Sequence, residues 1–429
     1  MNFFLLLCCI LLVVVLQGST TIYCLEDEMV KHFLSYVLLC ALTITSGSVS
    51  SSKVLRIATV TDVHIGENCG GELTVDACRP LSALQEALLK MNEMELDGVF
   101  LTGDLTSSAL MEEYQALRDL LDDTLVIPWW PMLGNHDVWP YTKQSADDPL
   151  SFNQTDTPVG DQYLADVFGD ILSQEGITSD TLASLYDGTN TTDWPTSACL
   201  NANYNYNSYF HNFMVTFPEF SNKLKFLALD WNSRAAALPE PGVGPEAELH
   251  NFNCGTLYWL DNNLKALTQD HENIQMFLLQ HHPFHNRESL DPFGNNYLYN
   301  FTFDKQQDKR IQQVFETYIQ PSDIIAVHSG HMHRWFNGSA FTPQTCLNDE
   351  WLNIREFETP ASKGWWIDED FLSAFTVFTF SIGGDPAEGQ KQVGKNDESD
   401  RIYLNNVDGY WRVPPGLDWQ VKPHLGNVM

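Results

Sequence analysis

The chain has 429 residues, of which 44% are hydrophobic and 12% aromatic, so it can bury a large core. Its formal net charge of −33 at pH 7 comes from 23 basic and 56 acidic residues. Nucleic-acid polymers and anionic membranes attract basic surfaces, so this charge argues against either as a partner. We expect a small-molecule substrate and no stable membrane anchor.

The first 50 residues contain two apolar segments and are predicted to be a leader. Residues 3–17 are too short to span a bilayer comfortably. The segment that begins at Met29 has a basic start, an apolar middle and small residues at its end, as a secretory signal does. Our hypothesis is that Met29 is the true start and that the protein is secreted or enters a lumenal, lysosome-like compartment. The alternative is that residues 3–17 are the signal and the second segment associates with a membrane.

Glycosylation sequons fit secretion, and the cysteine count bears on which disulfides would form in an oxidising compartment. Glycosylation sequons occur at Asn153, Asn190, Asn300 and Asn337. Without the leader, five of the nine cysteines remain, namely Cys69, Cys78, Cys199, Cys254 and Cys346. A local disulfide between Cys69 and Cys78 is the first expectation, and one between Cys199 and Cys254 is the second. The odd count leaves at least one thiol unpaired or bonded to another chain.

From residue 53, short β-rich apolar runs alternate with longer runs of helical periodicity, which predicts an α/β fold. Strands are predicted in 54–66, 97–106, 125–137, 210–220, 223–232, 274–284, 323–336 and 374–382, and helices in 79–95, 109–123, 254–269 and 304–319. Residues 53–383 are interpreted as one domain with a polar insert at about 140–207, which is too long for an ordinary connection. Residues 384–429 are interpreted as a linker and C-terminal tail.

Polar residues follow five of these strands in the motifs Asp-x-His, Gly-Asp, Gly-Asn-His-Asp, His-x-Pro and Gly-His-x-His. Open α/β sheets bind ligands at the carboxyl ends of strands. Each motif alone is more often a turn or a cap, but five in succession are hard to obtain by accident. Imidazoles, carboxylates and one amide suit Zn, Mn or Fe, and seven such groups exceed the needs of one ion. Two divalent ions that share a carboxylate are therefore expected. The polar groups at these strand ends are Asp62, His64, Asp104, Asn135, His136, His281, His282, His331 and His333.

In this order the motifs resemble those of the calcineurin-like metallophosphoesterase superfamily over most of residues 55–340. The resemblance implies two mixed β-sheets sandwiched between helices, with a dinuclear metal centre at the sheet edges. It assigns Asp62, His64 and His333 to one ion and Asn135, His281 and His331 to the other, with Asp104 as the bridge. The His-x-Pro spacing selects His281 rather than His282 as a ligand.

The resemblance also implies roles for residues that are not ligands. His136 would remain uncoordinated and act on the substrate, either stabilising charge or protonating the departing oxygen. Asp137 would orient His136, although a loop-capping role is an equal alternative. Apart from the resemblance, the stretch "HHPFHNR" offers His282, His285 and Arg287 as candidate substrate contacts. Exposed loop residues such as His285 and Arg287 are more often incidental.

The expected function is that of a secreted dinuclear-metal phosphoesterase. A phosphodiester, nucleotide or lipid-headgroup substrate is slightly favoured over a simple monoester. Purple acid phosphatases have a Tyr three residues after the Gly-Asp aspartate, where this chain has Ser107. The leader, sequons and insert resemble those of secreted acid-sphingomyelinase-like and nucleotide-cleaving relatives, but their cysteine-rich module is missing and the chain has Asp137 where they usually carry Glu.

Two alternatives remain, an acid-phosphatase-like phosphomonoesterase and a non-catalytic binding scaffold. Relatives used only for binding usually lose ligands or the catalytic histidine, which this chain retains. The insert is a candidate lid that, together with aromatic residues nearby in the sequence, could stack on a base or cover a lipid headgroup. The alternative is that most of these aromatic side chains belong to the core. They are Trp129, Trp130, Trp139, Tyr141, Tyr204 and Tyr206.

Overall fold

The strands and helices follow the alternation that the sequence predicts. The structure is a computed structural model that describes residues 53–143, 152–154, 159–173, 199–201, 206–217, 220, 223–234, 247–252, 255–270, 274–284, 302–362, 373–382, 401–412 and 418–423. The leader, most of the insert and the linker at 384–400 lie outside the described residues, as do Asn190, Asn300, Arg287 and Cys254.

The described strands form two six-stranded sheets and two short hairpins. In chain order they are β1 (Val54–Val60), β2 (Gly98–Thr102), β3 (Trp129–Met132), β4 (Tyr141–Lys143), β5 (Phe152–Gln154), β6 (Cys199–Asn201), β7 (Tyr206–Ser208), β8 (Phe213–Val215), β9 (Leu224–Leu229), β10 (Gln275–Gln280), β11 (Ile324–Ser329), β12 (Phe336–Ser339), β13 (Arg355–Glu358), β14 (Ser373–Ile382), β15 (Ile402–Arg412) and β16 (Gln420–Pro423). The two hairpins are β4-β5 and β6-β7.

Both large sheets are mixed. The first has the order β16-β15-β14-β1-β2-β3, in which β1, β2 and β3 are parallel and the other neighbours antiparallel. The second has the order β12-β13-β11-β10-β9-β8, in which β9, β10, β11 and β13 are parallel. The prediction of two mixed sheets with helices is confirmed.

Five described α-helices cover the sheets: α1 (Arg79–Asn92), α2 (Met111–Thr124), α3 (Gly160–Ser173), α4 (Thr256–Asp270) and α5 (Lys305–Tyr318). One apolar core joins α1, α2 and α3 to the first sheet and continues between the sheets, where Phe277 of β10 contacts Phe378 and Phe380 of β14. A second core joins α4 and α5 to the outer face of the second sheet. Helices therefore flank both sheets, and the parallel strands of each sheet end at one edge.

The interpretation of residues 384–429 as linker and tail is wrong for two segments. Strand β15 pairs with β14 over its full length, and β16 pairs with β15, so both extend the first sheet. Ile402, Leu404 and Val407 are buried in the first core. The register shifts between Thr379 and Phe380, so the side-chain alternation of β15 changes phase there. Because of this shift, and because β15 is rich in Asn and Asp, its sequence does not show the alternating pattern typical of a strand.

The insert at about 140–207 is partly a packed helix rather than a lid. Leu164, Phe168 and Ile171 of α3 belong to the first core. Residues Trp129, Trp130 and Trp139, which were candidates for stacking on a substrate, are 6%, 0% and 2% exposed. These three side chains are core residues. The side chains of Tyr141, Tyr204 and Tyr206 lie outside the described part.

Residues Ser52–Met429 form one compact unit. Within it, Cys69 and Cys78 form the expected disulfide, and Cys346 is a buried free thiol. Among the helices that the structure describes, none has both the length and the apolar character that a membrane crossing requires. Asn337 lies partly buried in β12, where its Oδ1 accepts a hydrogen bond from Arg355, and its glycosylation stays a prediction.

Candidate metal centre

The loops after five parallel strands carry the seven predicted ligands. In the first sheet, Asp62 and His64 follow β1, Asp104 follows β2 and Asn135 follows β3. In the second sheet, His281 follows β10, and both His331 and His333 follow β11. These strands are buried and apolar, so the chain turns polar where each strand reaches the common edge. The structure therefore brings together residues that are up to 271 positions apart in the sequence, since 333 − 62 = 271.

Most of these ligands have an unusual backbone conformation. Asp62, His64, Asp104, His331 and His333 have φ between 49° and 68°. A non-glycine residue in this left-handed region is uncommon and costs about 1–3 kcal/mol, so it persists only where the surroundings hold it. Such residues cluster at functional sites. The five candidate ligands in this conformation are therefore evidence that this edge is a functional site.

Two glycines of the motifs allow the loops to approach each other. A Cβ at Gly103, where φ is 94°, would lie 2.6 Å from Nδ1 of His281. A Cβ at Gly134 would overlap the backbone nitrogen of Asp104. The Gly-Asp and Gly-Asn-His-Asp loops can thus touch only because both positions lack a side chain.

One cluster of candidate ligands is formed by Asp62, His64, Asp104 and His333. One ligand atom from each lies within 4.8 Å of all the others. The Nε2 of His333 lies 3.1 Å from Oδ1 of Asp62, and the Nε2 of His64 lies 3.5 Å from Oδ2 of Asp104. Thr61 donates to Asp62 at 2.8 Å, and the backbone N–H of His331 donates to the same carboxylate. These hydrogen bonds fix the carboxylate that faces both imidazoles.

A second cluster shares Asp104 with the first. Its ligand atoms come from Asp104, His281 and His331, again within 4.8 Å of one another. The Nε2 of His281 lies 3.4 Å from Oδ1 of Asp104 and 3.1 Å from Oδ1 of Asn135. Asn135 thus lies where the resemblance places the amide ligand. The two oxygens of Asp104 face different clusters, which is the arrangement expected of a bridging carboxylate.

The chemistry of the donor set fits two divalent cations. Burial alone would raise the pKa of Asp104, but His281, His136 and His64 lower it well below the ordinary value. Burial would raise the pKa of Asp62 too, but His333 and His281 together lower it. Both carboxylates are therefore ionised, as metal ligands must be. The donors are imidazole nitrogens and oxygens without thiolate, which matches Zn, Mn or Fe.

The imidazoles are also prepared for coordination. Nδ1 of His281 lies 3.1 Å from the carbonyl oxygen of Thr102, which can only accept, so Nδ1 carries a proton and Nε2 can bind an ion. Burial lowers the pKa of His281, but Asp104 and Asp62 raise it to about 9, so an ion would displace a proton from Nε2. Burial and the neighbouring His282 and His281 lower the pKa of His331, which favours its neutral, ligating form.

His136 lies next to both clusters and is a ligand in neither. Its backbone N–H donates to Oδ1 of Asp104 at 2.8 Å, and its ring meets that of His64 edge-on with centroids 4.6 Å apart. Nδ1 lies 3.0 Å from the carbonyl oxygen of Ser107. The side chain is partly exposed, whereas Asn135 and Asp137 are buried. The predicted catalytic role of His136 is compatible with this position.

The prediction that Asp137 orients His136 is not supported by its contacts. The carboxylate accepts hydrogen bonds from the N–H groups of Leu105, Thr106 and Gly134 and from the hydroxyl of Thr106, at 2.7–3.0 Å. Burial and Asp104 raise the pKa of Asp137 to about 7, against the effect of these donors. Asp137 therefore ties the Gly-Asp loop to the Gly-Asn-His-Asp loop, which agrees with the loop-capping alternative.

The predicted substrate contact of His282 is also unsupported. Its side chain is 0% exposed and its ring packs against those of His331 and His281, with centroids 4.7 and 5.2 Å apart. His282 thus packs against the rings of two candidate ligands. Arg287 lies outside the described residues, so its role stays a prediction.

Two residues that hold His136 in place are not indicated by any sequence pattern. The carbonyl of Ser107 takes the role expected of Asp137. Glu113 of α2 is 4% exposed and accepts hydrogen bonds from the N–H groups of Ser108 at 2.9 Å and Leu110 at 3.3 Å, which fixes the loop that carries Ser107. Glu113 occurs in "MEEYQ", which is typical of a solvated helix face. Only its burial, which no local pattern indicates, reveals its role.

Comparison with known proteins agrees with this geometry. A family model described as calcineurin-like phosphoesterase matches residues 55–335, a range that contains all seven candidate ligands. The chain belongs to the calcineurin-like phosphoesterase family. No curated protein matches the sequence of this family member.

Solved structures similar to this calcineurin-like phosphoesterase family member share little sequence with it. A dimetal phosphatase from Danio rerio is 11% identical, with a TM-score of 0.42, covering 86% of this chain and 98% of its own. The purple acid phosphatase PPD1 from yellow lupin (Lupinus luteus) seeds is 12% identical, with a TM-score of 0.42, covering 86% of this chain and 54% of its own. The calcineurin-like phosphoesterase YfkN from Bacillus subtilis is 10% identical, with a TM-score of 0.35, covering 88% and 93%.

Proposed function

We propose that this family member is a secreted hydrolase of phosphoric esters that requires two divalent metal ions. One observation carries the proposal: Asp104 belongs to both ligand clusters, with one oxygen 3.5 Å from His64 and the other 3.4 Å from His281. Sharing a carboxylate places two cations close enough to act on one phosphoryl group. Asp62, His64 and His333 would hold one ion, and Asn135, His281 and His331 the other.

When bound, two divalent cations polarise phosphoryl oxygens and make water a competent nucleophile near neutral pH. The chain supplies the remaining functions. His136 presents Nε2 next to the metal clusters, where it can hydrogen-bond a phosphoryl oxygen or give a proton to the departing alcohol. Ser107 sets the tautomer that makes this possible, because its carbonyl keeps the proton on Nδ1. Asp137 and Glu113 hold the loops that carry both residues.

We propose a diester, nucleotide or lipid-headgroup substrate in preference to a simple monoester. The secretory features of the sequence favour this choice, as does Ser107 at the position of the purple acid phosphatase tyrosine. A chain without that phenolate would lack the purple iron(III) absorption band. The acid-phosphatase-like activity is therefore the second candidate. Since the surface is strongly acidic, a nucleic-acid polymer is not the proposed substrate.

A substrate panel with metal analysis tests the proposal. The purified protein would be loaded separately with Zn, Mn and Fe and assayed against para-nitrophenyl monoesters and diesters, nucleotides and sphingomyelin. We expect two bound ions per chain, diester hydrolysis that a chelator abolishes, and recovery when the metal is restored. Hydrolysis of monoesters alone would favour the acid-phosphatase-like activity, and hydrolysis of no ester despite two bound ions would favour the binding scaffold. Mass spectrometry of the mature N-terminus and of Asn337 tests secretion and glycosylation.

A further inference from the structure

Two tryptophans from different sheets contact each other. Trp335 lies just before β12 in the second sheet, and Trp411 lies in β15 of the first. Their ring centroids are 6.3 Å apart and the rings are inclined at 66°. Both side chains are partly exposed, and neither belongs to the two apolar cores. Their exposure distinguishes them from four other tryptophans, which are at most 2% exposed, namely Trp130, Trp139, Trp231 and Trp351.

Strand pairing places both tryptophans at the edge that carries the metal ligands. Phe336, the residue after Trp335, pairs with Glu358 at the end of β13, which runs parallel to β11. His331 and His333 follow β11 at that same edge. In the first sheet, Trp411 pairs with Ala374 near the start of β14. That start lies beyond the end of β1, because Thr376 already pairs with Thr59, and Asp62 follows β1.

The distance from the ligands follows from strand spacing. β12 is two strands from β11 in its sheet, and β15 is two strands from β1 in the other. Neighbouring strands are about 4.8 Å apart, so the pair lies roughly 10 Å along the edge from the ligand-bearing strands. This distance is too long for a metal ligand. It corresponds to the reach of an organic group attached to a phosphoryl group at the clusters.

We propose that Trp335 and Trp411 form an aromatic subsite that binds a planar organic group of the phosphoester, such as a nucleobase. Both rings are partly exposed, and an exposed aromatic ring can stack on a planar group. A quaternary ammonium group would instead favour several ring faces converging around it. Stacking on aromatic side chains tolerates different bases, because every base has a π-face. The subsite rests on the proposed function, since it selects among esters that the metal clusters would hydrolyse.

Three methyl phosphodiesters that differ only in their second alcohol test the subsite. The alcohols are adenosine, ethanol and choline, and hydrolysis is followed by phosphorus NMR. In Trp335→Ala and Trp411→Ala we expect KM for the adenosine ester to rise on the order of tenfold, with KM for the ethyl ester unchanged. Trp335→Phe should restore most of the loss because it keeps a ring. Two bound metal ions in each variant would show that the centre is intact.

Trp419→Ala is the matched control, because Trp419 is also partly exposed but contacts Phe375 instead. It should leave all three KM values unchanged. Equal changes for the adenosine and ethyl esters, no change for either, or an effect confined to the choline ester would overturn the proposal.

Failure of the proposed function can be told apart from failure of the subsite. If the parent protein hydrolyses none of the three esters, the proposed function fails. Calorimetry then measures the binding of adenosine monophosphate to the metal-loaded protein, which tests the subsite without relying on hydrolysis. Weaker binding in Trp335→Ala and Trp411→Ala but not in Trp419→Ala would support it. Equal binding in all four proteins, or none by the parent, would overturn it.

Discussion

The Nδ1 atom of His136 lies 3.0 Å from the backbone carbonyl oxygen of Ser107. A carbonyl oxygen accepts and cannot donate, so Nδ1 carries a proton in every protonation state of the ring. Nε2 is then the atom that exchanges a proton with a substrate. A backbone group therefore performs the orienting role that a carboxylate performs in many other active sites, and it does so without adding charge next to two metal clusters.

Replacing His136 by alanine should lower kcat by about 10²- to 10⁴-fold, because a positioned proton donor contributes about that much. Both ions should stay bound, since His136 belongs to neither ligand cluster. Steady-state kinetics and metal analysis of the same samples check this expectation. A variant with the parent's rate would remove His136 from the mechanism, and one that lost its metal would make it a ligand.

Replacing Asp104 by asparagine should reduce the bound metal to one ion per chain or fewer. The amide offers one neutral oxygen in place of two charged ones, so it cannot serve both clusters equally. Metal content after gel filtration is the measurement, and Asp76→Asn, at an exposed position, is the control. Two tightly bound ions in Asp104→Asn would contradict the bridging role.

Replacing Asp137 by asparagine should lower the free energy of unfolding by about 2–4 kcal/mol, as expected when buried hydrogen bonds are broken. Four donors point at the carboxylate, and the amide nitrogen would oppose some of them. Urea unfolding of the metal-free protein measures the difference, and Asp76→Asn is again the reference. Equal stability of parent and variant would show that Asp137 does not join the two loops.

Glu113 should make stability depend on pH. Burial raises its pKa from 4.5 to about 8, so the folded protein keeps a proton that the unfolded chain releases between these values. Because the folded state binds this additional proton, the contribution of Glu113 to the free energy of unfolding of the parent falls as pH rises from about 4.5 to about 8. Glu113→Gln cannot titrate, so its stability relative to the parent should rise across this window and level off above it.

Urea unfolding at several pH values between 4 and 9 measures this effect. Glu112→Gln is a matched control, because Glu112 is the preceding residue and is exposed. Parallel stability profiles for the parent and Glu113→Gln would contradict the prediction.

Reduction of the disulfide between Cys69 and Cys78 should lower the free energy of unfolding by about 2–3 kcal/mol. The bridge closes a loop of sequence separation 9, and cross-links over such short loops restrict the unfolded chain by about that amount. Unfolding with and without a thiol reductant measures the change. Identical curves would show that the bridge is absent from the purified protein.

The sequence predicted the parts of the centre that depend on local pattern. Each buried strand is a continuous apolar run, and the polar residues directly after it must lie at the strand end. Parallel pairing then brings Asp62 and Asp104 to one edge of the first sheet, and packing of the second sheet against it brings His281 beside them. The sequence left two equal roles for Asp137, orienting His136 or capping its loop, because three-dimensional packing decides which groups its carboxylate faces.

Longer-range features escaped prediction for a related reason. Strand β15 lost its alternating pattern at the register shift between Thr379 and Phe380, so its residues resembled a tail. Trp335 and Trp411 are 76 residues apart, since 411 − 335 = 76, and nothing near either indicates the other. Pairing of β14 with β1 and β15 positions Trp411, pairing of β12 with β13 positions Trp335, and packing of the two sheets brings them together.

The position of β14 also bears on how the protein can be made. β1 lies between β2 and β14, and its residue Val54 pairs with Ser381. While the ribosome is still translating the middle of the message, one side of β1 is an open edge that can recruit another nascent chain. A polypeptide shortened to the family match at residue 335 would keep all seven ligands and still expose that edge. Such a fragment should precipitate on expression, whereas the chain that includes β14 and β15 should not.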